Sequence, residues 1–313
     1  MKPDEGYICC IVNPKAGAIS GKKTGRRFGG YLAERGFDVR VSLTASLDDA
    51  CCIATAAASD RDCAMVVGVG GDGTIREIAH GLEGSDKPLM IVPCGTENLL
   101  ANELGFDGTL RTAVRTFEAG RVRRLDLGIA NGRCFTSIAG FGFDGRVVGR
   151  VHRRRAGHID YFDYFQPIWR TFWEYGFDPM RVEADGEEVF NDRGLVFVGN
   201  ISRYALGLQI LPKADFGDGL LDVCVYRCCS HLALLKHSAW TVLKRHVGGG
   251  GVIYRQAKKV TVSAEADIDT QIDGDPGPSL PVRLEILPGA VKCLVPAGAR
   301  PAGMRCRILR VLE

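Results

Sequence analysis

The sequence predicts two domains: an α/β domain built on a parallel sheet flanked by helices, then a domain that is mainly antiparallel β. Three observations predict this. The chain has 313 residues, more than one ordinary domain uses. Up to Arg124, short apolar runs alternate with helix-length segments, which implies parallel strands joined by crossover helices. After Arg124 the runs follow one another with turn residues between them, and Asn131-Gly132 is a strong signal for a two-residue hairpin. The expected division is residues 1–124, residues 125–298 and a tail, 299–313, that would pack back on the first domain.

In order, Tyr7 to Val12 is an apolar strand ending at Asn13-Pro14-Lys15-Ala16-Gly17, a turn able to present backbone donors. A basic segment with Lys22, Lys23, Arg26 and Arg27 leads into a helix ending near Gly36. Phe37 to Leu43 alternates like a strand and stops at Thr44, and a helix over Ala50 to Ala58 follows. Met65 to Val69 reads as a buried strand that breaks at Gly70-Gly71-Asp72-Gly73, after which Thr74-Ile75-Arg76-Glu77 opens a helix. Leu89 to Val92 is the next strand, followed by Pro93-Cys94-Gly95-Thr96-Glu97-Asn98, a helix from Leu99 to Leu104 and another from about Thr109 to Glu118. Ligands of parallel sheets bind at the carboxyl ends of strands. Asn13 to Gly17, Thr44, Gly70 to Thr74 and Gly95 to Asn98 all fall there, so these four loops are expected to converge.

The glycine loop reads as a phosphate seat. Glycines let the backbone approach an anion closely, and the first N–H groups of a helix carry partial positive charge toward it. Asp72 within it would repel a phosphate unless a cation or a proton lies between, so it is expected to meet Mg2+ or take a proton. A tight strand-to-helix turn without a ligand is the alternative.

The second half reads as strands at Leu125 to Ala130, Cys134 to Ala139, Arg181 to Ala184, Val189 to Phe190, Gly194 to Gly199, Leu220 to Tyr226, Lys259 to Ala264, Asp269 to Ile272 and Leu280 to Leu287. Its one helical segment is Val147 to Phe177, where Tyr161, Phe165, Ile168 and Phe172 recur at helical spacing beside Phe162, Trp169 and Trp173. Either most of these aromatics are core, or the helix faces lipid with the preceding basic cluster, Arg150, His152, Arg153, Arg154 and Arg155, against headgroups. Arg121, Arg123 and Arg124 form a second basic cluster.

A net charge of +3 is too small to suggest a nucleic-acid binder. MKPDEGYICCIVNP shows no cleavable signal peptide, and no apolar run reaches the roughly 18 residues of a spanning helix. A cytoplasmic protein, peripheral at the inner membrane face, is the expectation. The twelve cysteines include no CxxC and several lie in apolar runs, so they read as small buried apolar residues rather than disulfides or zinc ligands.

Seven motifs occur in one order: Asn13-Pro14-x-x-Gly17, GGDGT at Gly70 to Thr74, PxGTxN at Pro93 to Asn98, LDLG at Leu125 to Gly128, GFGFDG at Gly140 to Gly145, Asp215-x-x-Asp218-Gly219-Leu220-Leu221-Asp222, and IDGD at Ile272 to Asp275. In this order the chain resembles the diacylglycerol kinase catalytic-domain family, which includes bacterial soluble lipid kinases and sphingosine kinases. GGDGT alone is shared with NAD kinases. The resemblance implies an α/β domain plus a β-sandwich domain, with ATP bound in the cleft between them and its γ-phosphate passed to a lipid hydroxyl. By position it assigns the nucleotide to Asn13, Pro14, Lys15, Ala16, Gly17, Thr44, Gly71, Asp72, Gly73, Thr74, Ile75, Arg76, Glu77, Gly95, Thr96 and Asn98. Asp215, Asp218 and the carbonyl of Leu220 match a structural Mg2+ site, a hard-oxygen donor set.

Phosphoryl transfer needs positioning, charge neutralisation and one proton acceptor. Asp275 stands where bacterial relatives carry a glutamate as acceptor; Asp72 stands where sphingosine kinases place their base; Asp273 could orient either. Asp275 is the expected acceptor, with Asp72 required for Mg2+ and phosphate geometry. Asp144 matches a residue that contacts the substrate hydroxyl in sphingosine kinases, and Asp126 is expected to hold a hydrogen bond at the domain junction beside the substrate. The function that follows is an ATP- and Mg2+-dependent lipid kinase of phospholipid metabolism, acting on diacylglycerol or a related long-chain alcohol at an anionic membrane surface, with a homodimer left open. The alternatives are an NAD kinase-like enzyme with a soluble acceptor, or a nucleotide- and lipid-binding protein weakened by Asp275 in place of glutamate.

Overall fold

The structure is a computed structural model that describes residues 5–17, 21–153 and 161–298, the side chains of Leu47 and of residues 161–164 excepted. It divides into two units. One runs to Leu127 and resumes at Gly289; the other is Gly128–Pro288.

The first unit contains β1 (Tyr7–Val12), α1 (Gly21–Ala33), β2 (Val39–Leu43), α2 (Leu47–Ser59), β3 (Cys63–Gly70), α3 (Asp72–Gly81), β4 (Leu89–Pro93), α4 (Leu99–Glu103), α5 (Leu110–Ala119) and the start of β5 (Arg121–Ala130). Its strands pair in parallel in the order β2-β1-β3-β4. All of β1 and β4 is buried, which is why these strands read as continuous apolar runs rather than alternating ones. Helix α2 begins earlier than the apolar pattern indicates because Ser46 and Asp49 form a capping box. Helix α3 likewise starts at Asp72, inside the glycine loop, with Gly71 as its N-cap.

The second unit adds β6 (Arg133–Phe135), β7 (Ile138–Phe141), α6 (Phe143–Arg153), α7 (Tyr161–Glu174), β8 (Pro179–Ala184), β9 (Glu187–Gly199), β10 (Leu221–Arg227), α8 (His231–Val242), β11 (Val252–Ala257), β12 (Lys259–Ser263), β13 (Thr270–Ile272), β14 (Asp275–Pro276) and most of β15 (Val282–Val295). It is a sandwich in which β9 serves both layers. Its first half pairs with β8, which continues through β12 to β15; its second half pairs with β7 and β10. Phe141, Val196, Val198, Val223 and Val225 pack against Val182, Val260, Val262, Val282 and Leu284 in one core. Asn131 and Gly132 take positive φ of 47° and 82°, as the predicted hairpin requires.

Three expectations change. Residues 289–298, assigned to the second domain, pack with the first unit, because Cys293 and Leu294 extend its sheet in parallel beside Leu89 and Met90 of β4. The single helical segment over Val147 to Phe177 is two helices, α6 and α7; Arg154, Arg155 and the 299–313 tail lie outside the described residues. Helix α8 was not anticipated. Its sequence, HLALLKHSAWTV, is apolar on most sides and so lacks a readable stripe, although Ser230 caps it by accepting from the Ala233 amide.

Among the described residues every cysteine is free. Cys9, Cys10, Cys63, Cys134, Cys224, Cys228 and Cys293 are buried, whereas Cys51 and Cys94 are half-buried and Cys52 and Cys229 exposed. No described helix is long and apolar enough to cross a membrane.

Candidate active site

In the first unit the four strand-end loops meet. Asn13 Nδ2 donates to Thr74 Oγ1 at 2.9 Å, tying the turn after β1 to the first turn of α3. The Thr44 amide donates to the Val12 carbonyl at 3.0 Å, and the Cys94 amide to the Gly70 carbonyl at 2.8 Å. Gly71 and Gly95 touch through their backbones: a Cβ on Gly95 would lie 2.7 Å from Gly71 Cα, so no other residue fits there. Asn98, at φ 49°, holds this loop by accepting from the Gly95 amide and donating to the Gly95 carbonyl, both at 2.7 Å. Lys15 is exposed, and its amide donates to Asn13 Oδ1 at 3.0 Å. Pro14, Gly17, Gly73 and Thr96 are half-buried around the same loops, while Ala16 is buried.

Not every residue assigned to the nucleotide can reach one by its side chain. Ile75 and Arg76 point into the unit, with Arg76 only 2% exposed and its Nε 3.0 Å from Glu77 Oε1. Only their backbone groups remain for an anion. Asp72 sits in the first turn of α3, where its Oδ1 accepts from the Leu100 amide at 3.4 Å, a long bond that links α3 to α4.

In the second unit the predicted acids gather on one turn and its neighbours. Asp273, at φ 51°, is committed: its Oδ2 accepts from the Thr136 amide at 2.9 Å and the Thr136 hydroxyl at 3.3 Å, its Oδ1 from the amides of Ser137 (2.9 Å) and Ile138 (3.2 Å). Four donors occupy this carboxylate and fix the turn that carries Asp275. Two residues on, Asp275 is half-buried and pairs with the guanidinium of Arg133 at 3.1 Å; Arg133 also donates to the Pro276 carbonyl at 3.2 Å. Asp144, in the first turn of α6, accepts a hydrogen bond from the Tyr204 hydroxyl. Its Oδ2 is fully shielded, and burial pushes the acid up to about 6, with Tyr204 and Gln271 opposing. Gly140 makes room for it: a Cβ there would lie 2.0 Å from Asp144 Oδ2 and 2.8 Å from Gln271 Nε2. Gln271 in turn accepts from the Gly274 amide at 2.9 Å, so Asp144 and Asp275 flank one turn.

Asp126 is 3% exposed and accepts from the Gly289 amide at 2.6 Å. It lies within β5 rather than at its start, and its Oδ1 ties β5 to Gly289 of β15. Asp215 Oδ1 and Asp218 Oδ1 close a turn by accepting from the amides of Gly217 (3.1 Å) and Leu220 (3.0 Å). Gln256 Nε2 donates both to Asp218 Oδ2 at 3.2 Å and to Asp222 Oδ2 at 3.3 Å. Asp222 is wholly buried, its Oδ1 has no hydrogen-bond partner, and burial pushes its carboxyl above the ordinary carboxylate range against hydrogen bonds from Tyr254 and Gln256. An oxygen-only set with an orphaned buried carboxylate oxygen beside it fits a hard cation such as Mg2+.

Sequence reasoning passed over Arg133, Tyr204, Gln256 and Gln271. None belongs to a motif; β-register brings in Arg133, Gln256 and Gln271, as Gln271 opposite Gly140 illustrates, and Tyr204 comes from the loop after β9. Asp222 stood in a quoted motif but carried no assigned role.

Residues 7–130 match the family described as diacylglycerol kinase catalytic domain, and residues 137–295 match the YegS C-terminal NAD kinase beta sandwich-like domain. A protein named diacylglycerol kinase from Mycobacterium tuberculosis is 32% identical over 302 residues, covering 93% of this chain and 96% of that one. One named probable lipid kinase YegS from Escherichia coli is 28% identical over 272 residues, covering 85% and 89%. The crystal structure of a putative diacylglycerol kinase from Bacillus anthracis superposes with a TM-score of 0.77 at 23% identity, covering 96% of this chain and 100% of that one, and so shares the fold. The chain belongs to the diacylglycerol kinase catalytic-domain family, in the form that carries a YegS-like β-sandwich as its second domain.

Proposed function

We propose that the protein is an ATP-dependent kinase of a lipid alcohol of the diacylglycerol class, working at an anionic membrane surface. The observation that carries this reading is the meeting of four strand-end loops through the Asn13–Thr74 bond and the Gly71–Gly95 contact, which turns backbone amides and a helix N-terminus toward one region without intervening side chains.

In the proposed reaction the lipid hydroxyl oxygen bonds to the γ-phosphorus while the bond to the β–γ bridging oxygen breaks, releasing ADP, and the hydroxyl proton passes to Asp275. Thr74, Asn13 and the glycine-loop amides hold the phosphates, Asp273 fixes the turn that carries Asp275, and Arg133 orients its carboxylate. Asp144, shielded at Oδ2 and holding the Tyr204 hydroxyl, would orient the acceptor hydroxyl through Tyr204. Mg2+ would be held by Asp72 with the nucleotide and, at a second position, by Asp215, Asp218, the Leu220 carbonyl and Asp222, where it would neutralise charge and fix the turn.

The membrane side of the proposal rests on exposed apolar surface. Of the aromatic stripe on α7, Phe165, Trp169 and Trp173 are 72%, 58% and 61% exposed, so they are not the core that helical spacing also allowed; Pro167 and Thr171 are the buried side. Tyr161 and Phe162 lie outside the described side chains. Helix α8 extends this face with exposed Leu232 and Leu235, packed to α7 by the His231 ring 5.1 Å from Phe172. Arg170, Lys236, Lys244 and Arg245 are exposed nearby in sequence, as an interfacial pair of helices on anionic lipid requires. Large side chains left in water at ~1.5–3 kcal/mol each are a strong bias toward a covering phase.

The test is phosphate transfer from MgATP to diacylglycerol in mixed micelles with and without anionic phospholipid. Activity that rises with anionic lipid and falls about 10²–10⁴-fold in Asp275→Asn supports the reading; full activity in that variant removes Asp275 from the mechanism.

A further inference from the structure

We propose that Cys51, Glu77 and His80 form a site for a zinc-class divalent cation that clips α2 to α3. One donor atom from each of the three lies within 4.8 Å of the others, and all three residues are half-buried, shielded yet within reach of solvent. Tetrahedral ligands at 2.0–2.3 Å from one zinc stand about 3.3–3.8 Å apart, so closing the site takes a side-chain movement of roughly an ångström.

The backbone already prepares this geometry. Glu77 and His80 are three apart on α3 and so share one face, a Glu-x-x-His spacing by which helices hold metals. Cys51 comes from α2, and the two helices meet closely because Gly81, next to His80, has no side chain: a Cβ there would lie 2.5 Å from the Cys51 carbonyl oxygen and 2.8 Å from Ala54 Cβ. Cys51, Glu77 and His80 supply one sulfur, one oxygen and one nitrogen, and solvent would complete a tetrahedron. Glu77 Oε1 also accepts from Arg76 Nε at 3.0 Å, which uses one of about four lone-pair positions on the carboxylate and leaves the others.

The donor types choose the metal. A thiolate, an imidazole and a carboxylate suit zinc, cobalt or nickel and are a poor match for Mg2+, so this site is chemically distinct from the oxygen-only set at Asp215, Asp218 and Asp222. No CxxC announces it in the sequence, because its ligands are brought together by helix packing across 26 residues or more rather than by spacing.

The experiment reads the metal directly rather than activity, since Glu77 is also assigned to the nucleotide. Chelator-stripped protein is titrated with Co2+, whose ligation by a thiolate gives a charge-transfer absorption band. The wild type is expected to take up one equivalent with that band, to release it to Zn2+ and not to excess Mg2+, and to gain thermal stability with Zn2+. Cys51→Ser should lose the band and the thermal gain while folding as the wild type does without metal. His80→Ala should weaken binding at least about tenfold, and Cys52→Ser should change nothing. A wild type without the band, or a Cys51→Ser protein that keeps it, overturns the assignment.

Discussion

Asn13 and Thr74 are joined side chain to side chain at 2.9 Å, although 61 residues separate them. That bond fixes the turn after β1 against the first turn of α3, and both residues also lie where a triphosphate would be gripped. Asn13→Ala removes the bond and leaves Thr74 half-satisfied, a cost of ~1 kcal/mol. The expected result is a KM for ATP raised about fivefold, with a small loss of melting temperature; steady-state kinetics at varied ATP checks it, and an unchanged KM would detach this bond from the nucleotide.

Asp273→Ala is expected to act on folding first. It strips the amides of Thr136, Ser137 and Ile138 of their acceptor at once. Buried donors left unpaired cost about 1–3 kcal/mol each, so a loss of ~3 kcal/mol or more is expected. Urea unfolding gives the number. A variant as stable as the wild type but inactive would return Asp273 to the chemistry.

Asp144 makes stability depend on pH. Its folded value is raised to about 6 from 3.8 by burial, so only well below 3.8 is the proton held in both states and the group costs little. As pH rises from 3.8 through the folded value the unfolded chain loses the proton first, and stability falls by up to ~3 kcal/mol, complete above about pH 6. Asp144→Asn, which still accepts from Tyr204, should therefore match the wild type below the unfolded value of 3.8 and exceed it in stability near neutrality. Denaturation at both pH values measures this; parallel profiles would contradict it.

Asp275→Glu separates a tuned site from a weakened one. The salt bridge to Arg133 spans 3.1 Å at a half-buried position, and an added methylene pushes the carboxylate past it. Activity is expected to fall about tenfold or more, since a displaced base loses its positioning. A large gain in turnover would instead favour the reading of a nucleotide- and lipid-binding protein that has lost its original acid.

The strands and the meeting of the four loops were legible because apolar runs ending at glycine, asparagine and threonine are local signals, and the ends of neighbouring parallel strands must lie side by side. What was not legible is set by distant partners. The four donors on Asp273 come from residues 136–138, and Gln271 reaches Asp144 only through the β13–β7 register. Arg76 was assigned to the nucleotide by resemblance, yet the turn of α3 carries its side chain inward. Helix α8 hid behind its own uniform apolarity, and the Cys51 pair looked like core because sequence cannot say which side of α2 it takes.

Incubation with γ-labelled ATP and Mg2+ against diacylglycerol, monoacylglycerol, a sphingoid base, ceramide, a polyprenol and NAD decides the matter in one assay. Label in a lipid phosphate, lost in Asp72→Ala, is the predicted outcome; label in NADP, or lipid labelling undiminished by Asp72→Ala, would contradict it.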